Sequence, residues 1–415
     1  MNMKRSLLLG VAVALLAVAC QSPRAKLFDP RQVSFTAQYN PLFDGQLYPS
    51  LILGLNNSTH QNSSANTAQQ TAPEFTITLT APADNAVLRV VVDSSALNYV
   101  TIFQEILPHR GQQYTFAPSL KWKYQVLRNL RHPGAVDLTF TCFINDEEVD
   151  IKNLHLAYRT VNECPLSLAY NGQTHDFRWL FAAYVNEDHP QIEQILTDIV
   201  AQGNVSRLSG YQNGAQNVRD QVFAVWYYAL ARGITYSSIS CTSNPSPRAN
   251  VQHIRFFDEV WASRQANCID ACVFFASILR KIGLKPVIFV EPCHAYLGYY
   301  TDRNRKQLAL LETTITSWVD FPALERSLDE NGQLPEAQFE KVKKYLSESD
   351  VEQYQAGRLD FDHLRRVVAK ALFDKATEYD RETYTANQTN FANPEVITYQ
   401  QLDIEQLRNL VQPIN

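Results

Sequence analysis

Apolar and polar residues alternate in several short segments of the N-terminal half of the chain. Alternation with a period of two predicts strands that bury one face. Short strands at this spacing predict an antiparallel β-sandwich-like domain, which we place at residues 33–186. The apolar segment Leu47–Leu55 is predicted as strand-like as well. The clearest alternating segments are Phe75–Leu79, Leu88–Val92, Val136–Phe140 and Leu154–Tyr158.

A polar, low-complexity run of Asn, Ser, Thr, Gln and Ala occupies residues 56–73. Such a composition cannot form a core, so the run is either a linker or a long loop. Because Leu47–Leu55 is too apolar to be left without a partner, we favour a loop inside the first domain.

From residue 187 onward the apolar residues recur at helical spacing, so the fold class is α+β, with a second domain at 187–415. Ile269–Ile282 is apolar or small at nearly every position, which predicts a buried helix that Gly283 ends. Lys285–Val290 is predicted as a short strand. Further helices are predicted at Gln191–Ala201, Asn217–Arg232, His253–Ser263, Pro335–Leu346 and Phe361–Tyr384.

Two more strands, His294–Tyr300 and Lys306–Glu312, are predicted as the arms of a hairpin. If the hairpin is symmetric about Arg303, His294 faces Glu312. Directly opposed residues share a face, with Cβ atoms roughly 4.5–5.5 Å apart. The loop length alone therefore predicts contact between an imidazole and a carboxylate.

The segment just before the buried helix carries a cysteine at a favourable position. Asn267 is a good N-cap, and Asp270 stands where the acid of a capping box binds back to it. Cys268 then lies in the first helical turn, where the helix dipole favours the thiolate and an unpaired N–H can hold an oxyanion. A thiol, a base and a base-orienting acid are the groups of an activated nucleophile.

These residues resemble the transglutaminase-like superfamily of the papain-like cysteine-protease group, over roughly residues 220–318. The resemblance implies a papain-like α+β domain with extra C-terminal helices. It implies that Cys268 is the nucleophile, His294 the general base and Glu312 the orienting acid. The matching residues are Arg264 and Asn267-Cys268-Ile269-Asp270 (family pattern R-x-G-x-C-x-D), His294-Ala295-Tyr296 (H-A-W/Y) and Glu312-Thr313-Thr314 (D-x-T).

In that superfamily the segment before the nucleophile helix packs beside the site. The resemblance therefore makes Tyr236 and Trp261 candidates for assisting the oxyanion, with Asp270 as a supporting residue. The alternative for Tyr236 and Trp261 is that each is simply part of the core.

The resemblance implies a thiol-dependent hydrolase of amides (a peptidase or amidase), or a transamidase, that needs no cofactor. Its substrates would be peptides, proteins or peptidoglycan-like amides of the bacterial envelope. The alternative is a catalytically silent binding or assembly protein. Ala266 in place of the usual glycine, Glu312 in place of the usual aspartate and the short interval from Cys268 to His294 favour this alternative.

A zinc site formed by Cys268, Cys272, Cys293 and His294 is a second chemical alternative, because a Cys-x3-Cys pair can share a helix face. However, Cys293 and His294 are neighbours on a predicted strand and would point to opposite sides. We therefore predict no metal site, and interpret Cys272 as a buried small residue.

The N-terminus has the pattern of a secretory signal at residues 1–19. Lys4 and Arg5 precede an apolar run that is too short to span a membrane, and small residues precede Cys20. This pattern resembles a bacterial lipoprotein box, which predicts a lipid anchor at Cys20 and a tether at 20–32. Gln21 instead of aspartate favours the outer membrane. An ordinary signal peptide with a chance cysteine is the alternative.

Composition gives no support for a nucleic-acid-binding protein. The 37 basic and 42 acidic residues give a net charge of −5, and the basic residues form no stripe, so nucleic-acid binding is not supported. Six cysteines remain besides Cys20. A secreted chain allows a Cys142–Cys164 disulfide, but spacing does not determine connectivity.

Overall fold

The computed structural model describes residues 28–55, 74–239 and 242–414 as a mixed α+β fold with several sheets. The predictions for the signal peptide at 1–19, for Cys20 and for the loop at 56–73 lie outside the described residues, as does the tether up to residue 27. Within the described ranges, no helix combines the length and apolar character that crossing a membrane requires.

Two sheets form most of the N-terminal part. A three-stranded sheet has the order β1-β3-β6 and a five-stranded sheet the order β2-β8-β7-β4-β5. The ring of Phe75 on β3 lies 5.9 Å from that of Phe140 on β7, so side chains of the two sheets pack together. The elements are β1 (Phe35–Tyr39), β2 (Gln46–Leu47), α1 (Pro49–Gly54), β3 (Phe75–Thr80), β4 (Ala86–Val92), β5 (Thr101–Leu107), β6 (Gln113–Phe116), α2 (Tyr124–Arg128), β7 (Gly134–Ile144), β8 (Glu147–Tyr158), β9 (Glu163–Tyr170) and β10 (Gln173–Asp176).

The four alternating segments are confirmed as parts of β3, β4, β7 and β8, and β3 and β4 bury every second residue. The strand prediction for Leu47–Leu55 is wrong, because this segment forms the end of β2 and the helix α1. Pro49 occupies the first helical position, where its missing N–H and fixed φ favour a helix start. A short continuous apolar run does not distinguish a strand from a buried helix.

The rest of the described chain is mainly helical. Its elements are α3 (Pro190–Ala201), α4 (Gly214–Arg232), β11 (Thr235–Tyr236), β12 (Thr242–Ser246), β13 (Ala249–His253), α5 (Phe257–Ser263), β14 (Gln265–Ala266), α6 (Cys268–Lys281), β15 (Pro286–Glu291), β16 (His294–Tyr300), β17 (Leu308–Leu311), α7 (Phe321–Arg326), α8 (Glu336–Lys343), α9 (Glu348–Gln355), α10 (Phe361–Glu378), α11 (Arg381–Ala392), β18 (Gln400–Asp403) and α12 (Ile404–Leu407). Short 3-10 helices lie at Pro30–Gln32, Pro41–Phe43, Arg178–Tyr184 and Thr313–Ser317.

One sheet crosses the predicted domain boundary between residues 186 and 187. It has the order β10-β9-β13-β12, so β9 and β10 from one side pair with β12 and β13 from the other. The last residues also return to the first part, since the N–H of Gln412 donates to the carbonyl of Gly54 at 2.9 Å. The division at residue 186 therefore stays a prediction.

Two helix predictions need correction. The segment predicted as a helix at His253–Ser263 begins with the end of β13, which pairs with distant β9, and only α5 is helical. The helix predicted at Phe361–Tyr384 is two helices, α10 and α11, which are separated at Tyr379 and Asp380. The break has a consequence for the site, because it places Asp380 in the interior.

The sheet that carries the site has the order β17-β16-β15-β18, and α6 packs against β15 and β16. The predicted buried helix is confirmed as α6, which ends before Gly283 at a φ of 82°. Residues from both parts of the chain belong to one continuous hydrophobic core. This core holds the start of α6 and the start of β16 side by side.

Candidate active site

Cys268 is the first residue of α6. The side chain of Asn267 accepts the N–H of Asp270 at 2.8 Å, and the carboxylate of Asp270 accepts the N–H of Asn267 at 3.0 Å. The predicted capping box is thus confirmed. The N–H of Cys268 has no helical carbonyl one turn earlier to bind, and its side chain is partly exposed. A thiol therefore lies at the positive end of a buried helix.

Asp270 ties this helix start to the segment that precedes α5. Its carboxylate is fully buried and accepts the N–H of Arg255 at 2.8 Å, while Nη1 of Arg255 lies 2.8 Å from the other oxygen. Burial raises the pKa of the Asp270 carboxyl, against the hydrogen bonds from Asn267 and Arg255 and the guanidinium charge. Asp270 thus fixes where the thiol sits, without facing the open side of the site.

His294, the first residue of β16, contacts Glu312 just after β17. Nε2 of His294 lies 2.6 Å from Oε2 of Glu312, and Oε1 accepts the N–H of Thr314 at 2.6 Å. The backbone N–H of Glu312 donates to the carbonyl of Ala376 at 2.9 Å. Glu312 has no exposed surface, whereas the His294 side chain is 27% exposed. A buried, doubly hydrogen-bonded carboxylate therefore orients the imidazole.

The predicted hairpin register is wrong by two residues. Leu297 pairs with Leu311, which leaves Glu312 diagonal to His294 rather than opposite it. Because the shift is an even number of residues, both side chains stay on the same face. The cause is the Asp302 carboxylate, which lengthens the loop by accepting the N–H groups of Asn304, Lys306 and Gln307.

The thiol of Cys268 lies close enough to the His294 side chain to raise the pKa of the imidazole. Since Nε2 binds Glu312, Nδ1 is the ring nitrogen left for the thiol. Burial by itself lowers the pKa of His294, but the hydrogen bonds to Cys268 and Glu312, with their charges, raise it to about 10. The imidazole is therefore protonated at neutral pH.

Glu312 remains ionised in this setting. Burial alone would raise the pKa of Glu312, but the hydrogen bonds and charge of His294 and the hydrogen bonds from Thr314 hold it below its usual value. The site thus places the sulfur of Cys268, the ring of His294 and the carboxylate of Glu312 next to one another in that order.

The two candidate oxyanion residues have different surroundings. Tyr236 is partly exposed on β11, and it pairs in parallel with Ala266, two residues before Cys268. Trp261 stacks on Tyr228 with ring centroids 6.2 Å apart, and the guanidinium of Arg232 lies 4.2 Å from its ring centroid. Trp261 is thus packed against α4, while Tyr236 lies next to the segment that leads to the thiol.

The other cysteines are spread over the fold. Cys272 is buried, with its sulfur 3.9 Å from Oγ1 of Thr313, which agrees with its interpretation as a packing residue. Cys293 is exposed in the turn between β15 and β16, at a φ of 65°. Cys142 and Cys164 are buried free thiols, so the disulfide that the sequence allows is not formed.

Asp380 is the residue of this site that the sequence analysis missed. Its carboxyl is buried, and one oxygen each from Asp380 and Glu312 lies within 4.8 Å of a His294 nitrogen and of one another. Among the described residues this is the one such group that could hold a metal ion, and the cysteines of the zinc alternative do not belong to it. Nothing in the sequence marks residue 380, since it lies inside an uninterrupted helical pattern.

A cavity of about 610 Å³ opens near the 3-10 helix that follows Glu312. The exposed ring of Trp318 is part of its wall and meets Tyr379 edge-on, with centroids 6.2 Å apart. In the described part of the chain, neither lysine of the wall is paired with a carboxylate. The cavity wall thus contains aromatic rings and two ammonium groups that no carboxylate of the described residues neutralises. Its lining residues are Trp318, Lys344, Tyr345 and Lys375.

Comparison with protein-family models finds no match for this chain, and a search of curated proteins finds no similar sequence. The functional argument therefore depends on the residues and their geometry.

Proposed function

We propose that the chain is a thiol-dependent amide hydrolase or acyl transferase of the transglutaminase-like group. Cys268 acts as the nucleophile, His294 as the acid and base, and Glu312 as the residue that orients the imidazole. One observation carries the proposal: Nε2 of His294 is held by buried Glu312, and the imidazole lies beside Cys268 at the start of a buried helix, close enough for the thiol to raise its pKa.

In the first step the thiolate of Cys268 attacks the carbonyl carbon of an amide. The carbonyl oxygen becomes anionic and lies near the positive end of α6, where the N–H of Cys268 can donate to it. Once the C–S bond forms, the thiolate charge that helped to raise the pKa of His294 is gone. The imidazolium then gives its proton to the leaving nitrogen, and the C–N bond breaks.

In the second step neutral His294 removes a proton from water, and the oxygen attacks the thioester. The C–S bond breaks, the acid leaves, and the thiolate–imidazolium pair is restored. An amine in place of water gives a new amide by the same route. Glu312 stays ionised throughout and keeps Nδ1 of His294 turned toward the thiol.

The proposed substrates are peptides, proteins or peptidoglycan-like amides, and the cavity beside Trp318 favours acidic ones. Lys344 and Lys375 supply positive charge, and Trp318 and Tyr345 supply flat apolar faces. The ammonium group of Lys344 lies 5.0 Å from the ring centroid of Tyr345. An acidic side chain of a bound peptide would pair with these two lysines.

We also propose that this domain follows a β-sandwich-like domain and a lipidated Cys20, in an envelope protein with its anchor in the outer membrane. The packing of Phe75 on Phe140 across two sheets supports the first of these proposals. The sequence that ends at Cys20 supports the second.

The full chain in detergent should be incubated with acidic peptides and with peptidoglycan fragments in H₂¹⁸O, with and without an added amine. Mass spectrometry should detect an acyl group on Cys268, and either ¹⁸O in the released acid or the amine in a new amide. Cys293→Ala, which removes an exposed thiol, is the matched control and should keep the activity. Equal product formation by Cys268→Ala would overturn the proposal.

A further inference from the structure

Asp380 has an unusual setting for an aspartate at a helix start. It precedes α11, but its carboxylate makes no cap hydrogen bond with that helix. The residue is only 4% exposed, and its Oδ2 atom is buried without a hydrogen-bond partner. A buried polar atom without a partner is costly, so another interaction must hold this side chain inside.

The group that faces it is the Glu312 carboxylate: one oxygen of Asp380 and one of Glu312 lie within 4.8 Å of each other. Two carboxyl groups can share a hydrogen bond only if one of them carries a proton. Glu312 already accepts hydrogen bonds from His294 and Thr314, which favour its ionised form. The proton therefore belongs to Asp380.

We propose that Asp380 is a positioning residue, whose protonated carboxyl donates a hydrogen bond to Glu312 and holds that carboxylate against His294. The proposal rests on the function proposed above, because the Glu312–His294 contact matters through its effect on Cys268. It gives the C-terminal helices a role in the reaction, since the break between α10 and α11 delivers Asp380 to the site.

The charges around Asp380 agree with a retained proton. Burial, and next the negative charge of Glu312, raise the pKa of Asp380 to about 8, and His294 opposes this rise. Glu291 on β15 adds a further negative charge, and Cys272 of α6 also faces this carboxyl. Tyr296 of β16 interacts with Asp380 and also with Tyr384 of α11, and Tyr379 and Arg381 adjoin Asp380 in the chain.

Loss of the Asp380 proton would have a defined effect on the neighbouring imidazole. A second negative charge would appear beside Glu312, and the hydrogen bond between the two carboxyl groups would be lost. The added charge would bind the His294 proton more tightly, so the leaving nitrogen would be protonated less readily above about pH 8.

NMR titration of ¹⁵N-labelled His294 in the full chain tests the proposal without any need for turnover. In the wild type, the ring signals should show an inflection near pH 8 that is absent in Asp380→Asn. The Asn amide can still donate to Glu312, so this variant should keep its Cys268 alkylation rate within about twofold. Asp380→Ala lacks the donor, so its rate of Cys268 alkylation should fall roughly 10- to 100-fold, as expected when a reacting group is misplaced.

An inflection that persists in Asp380→Asn would overturn the proposal, and so would alkylation of Asp380→Ala at the wild-type rate. If the wild type binds one equivalent of Zn²⁺ or Ca²⁺ and Asp380→Asn does not, the three side chains hold a metal ion instead of a shared proton, and the proposal is overturned. If the inflection is present but no substrate is turned over, the proposed enzyme function fails and the Asp380–Glu312 contact stands.

Discussion

Oε2 of Glu312 lies 2.6 Å from Nε2 of His294, although Glu312 follows the end of β17 and the two residues are not paired in the hairpin. The last paired residue before Glu312 is Leu311, opposite Leu297. The carboxylate therefore has to reach diagonally across the strand ends to find the imidazole. The length of a glutamate side chain suits this geometry, and an aspartate would be shorter by one methylene group.

Glu312→Asp should therefore impair the site, although it keeps a carboxylate at this position. The shorter carboxylate cannot keep its contacts with both His294 and Thr314. We expect the alkylation rate of Cys268 at pH 6.5 to fall at least about tenfold, as expected for a misplaced group.

Glu312→Gln provides the comparison, because it keeps the length and removes the charge. The pKa of His294, which is raised to about 10, should fall in this variant because the carboxylate charge is gone. A Glu312→Asp variant that reacts like the wild type would show that the diagonal reach is unimportant.

Cys268 should react with iodoacetamide at a pH at which Cys293 does not. An ordinary thiol with a pKa of about 8.5 is only about 1% thiolate at pH 6.5. Because the pKa of His294 is raised to about 10, the imidazolium charge is present at pH 6.5 and favours attack by Cys268. Peptide mass spectrometry at pH 6.5 should show faster labelling of Cys268 in the wild type than in His294→Ala.

Exposed Cys293 in the same molecule serves as the reference for access of the reagent. His294→Ala should bring the labelling rates of the two cysteines together. Equal labelling rates of the two cysteines in the wild type would favour a binding protein over an enzyme.

Local signals made much of the site predictable from the sequence. Asn267, Asp270 and Gly283 define α6 through short-range capping, and β16 has the predicted bounds. The register of the hairpin was not predictable from the loop length, because Asp302 binds three N–H groups and extends the loop. The face of Glu312 was predicted correctly only because the error was an even number of residues.

Non-local contacts explain what the sequence could not show. The break at Asp380 contains neither glycine nor proline, and it depends on burial of a carboxyl against a strand end 68 residues earlier. β13 forms because β9 supplies a partner strand from the other part of the chain. Neither contact leaves a periodic pattern, so helical spacing was the only signal at residues 361–384.

Asp270→Ala should destabilise the fold and the nucleophile together. The change removes the carboxylate that pairs with the Arg255 guanidinium near a buried site, and it removes the capping box of α6. Breaking a buried pair in this way typically costs about 3–5 kcal/mol. Urea unfolding should show this loss, with a smaller one for Asp270→Asn, whose side-chain oxygen can still accept the N–H of Asn267. A loss below about 1 kcal/mol would contradict the anchoring role.

Reversing the charge of the cavity should affect substrate binding rather than chemistry. The double variant Lys344→Glu, Lys375→Glu should raise KM for acidic peptides by roughly tenfold with little change in kcat, since the lysines lie outside the reacting group. Lys341→Glu changes an exposed lysine of α8 that is absent from the cavity wall, and it is the control. The wild-type KM should rise with salt, because exposed charges are screened. Equal KM values for the double variant and for Lys341→Glu would show that the cavity does not take part in substrate binding.

Asp380→Asn should change how stability depends on pH. The pKa of Asp380 is raised to about 8 by burial and by Glu312, whereas an unfolded aspartate titrates near about 3.9. Between these values the folded wild type holds one more proton than the unfolded chain, so its stability contribution is complete below about pH 4 and is lost as the pH rises through about 8. Relative to Asp380→Asn, the free energy of unfolding of the wild type should fall by up to about 1.4 kcal/mol per pH unit in this window.

Denaturation series at several pH values measure the slope, with Asp374→Asn at an exposed position of α10 as control. A flat difference between wild type and Asp380→Asn would mean that Asp380 is ionised at neutral pH and cannot donate to Glu312.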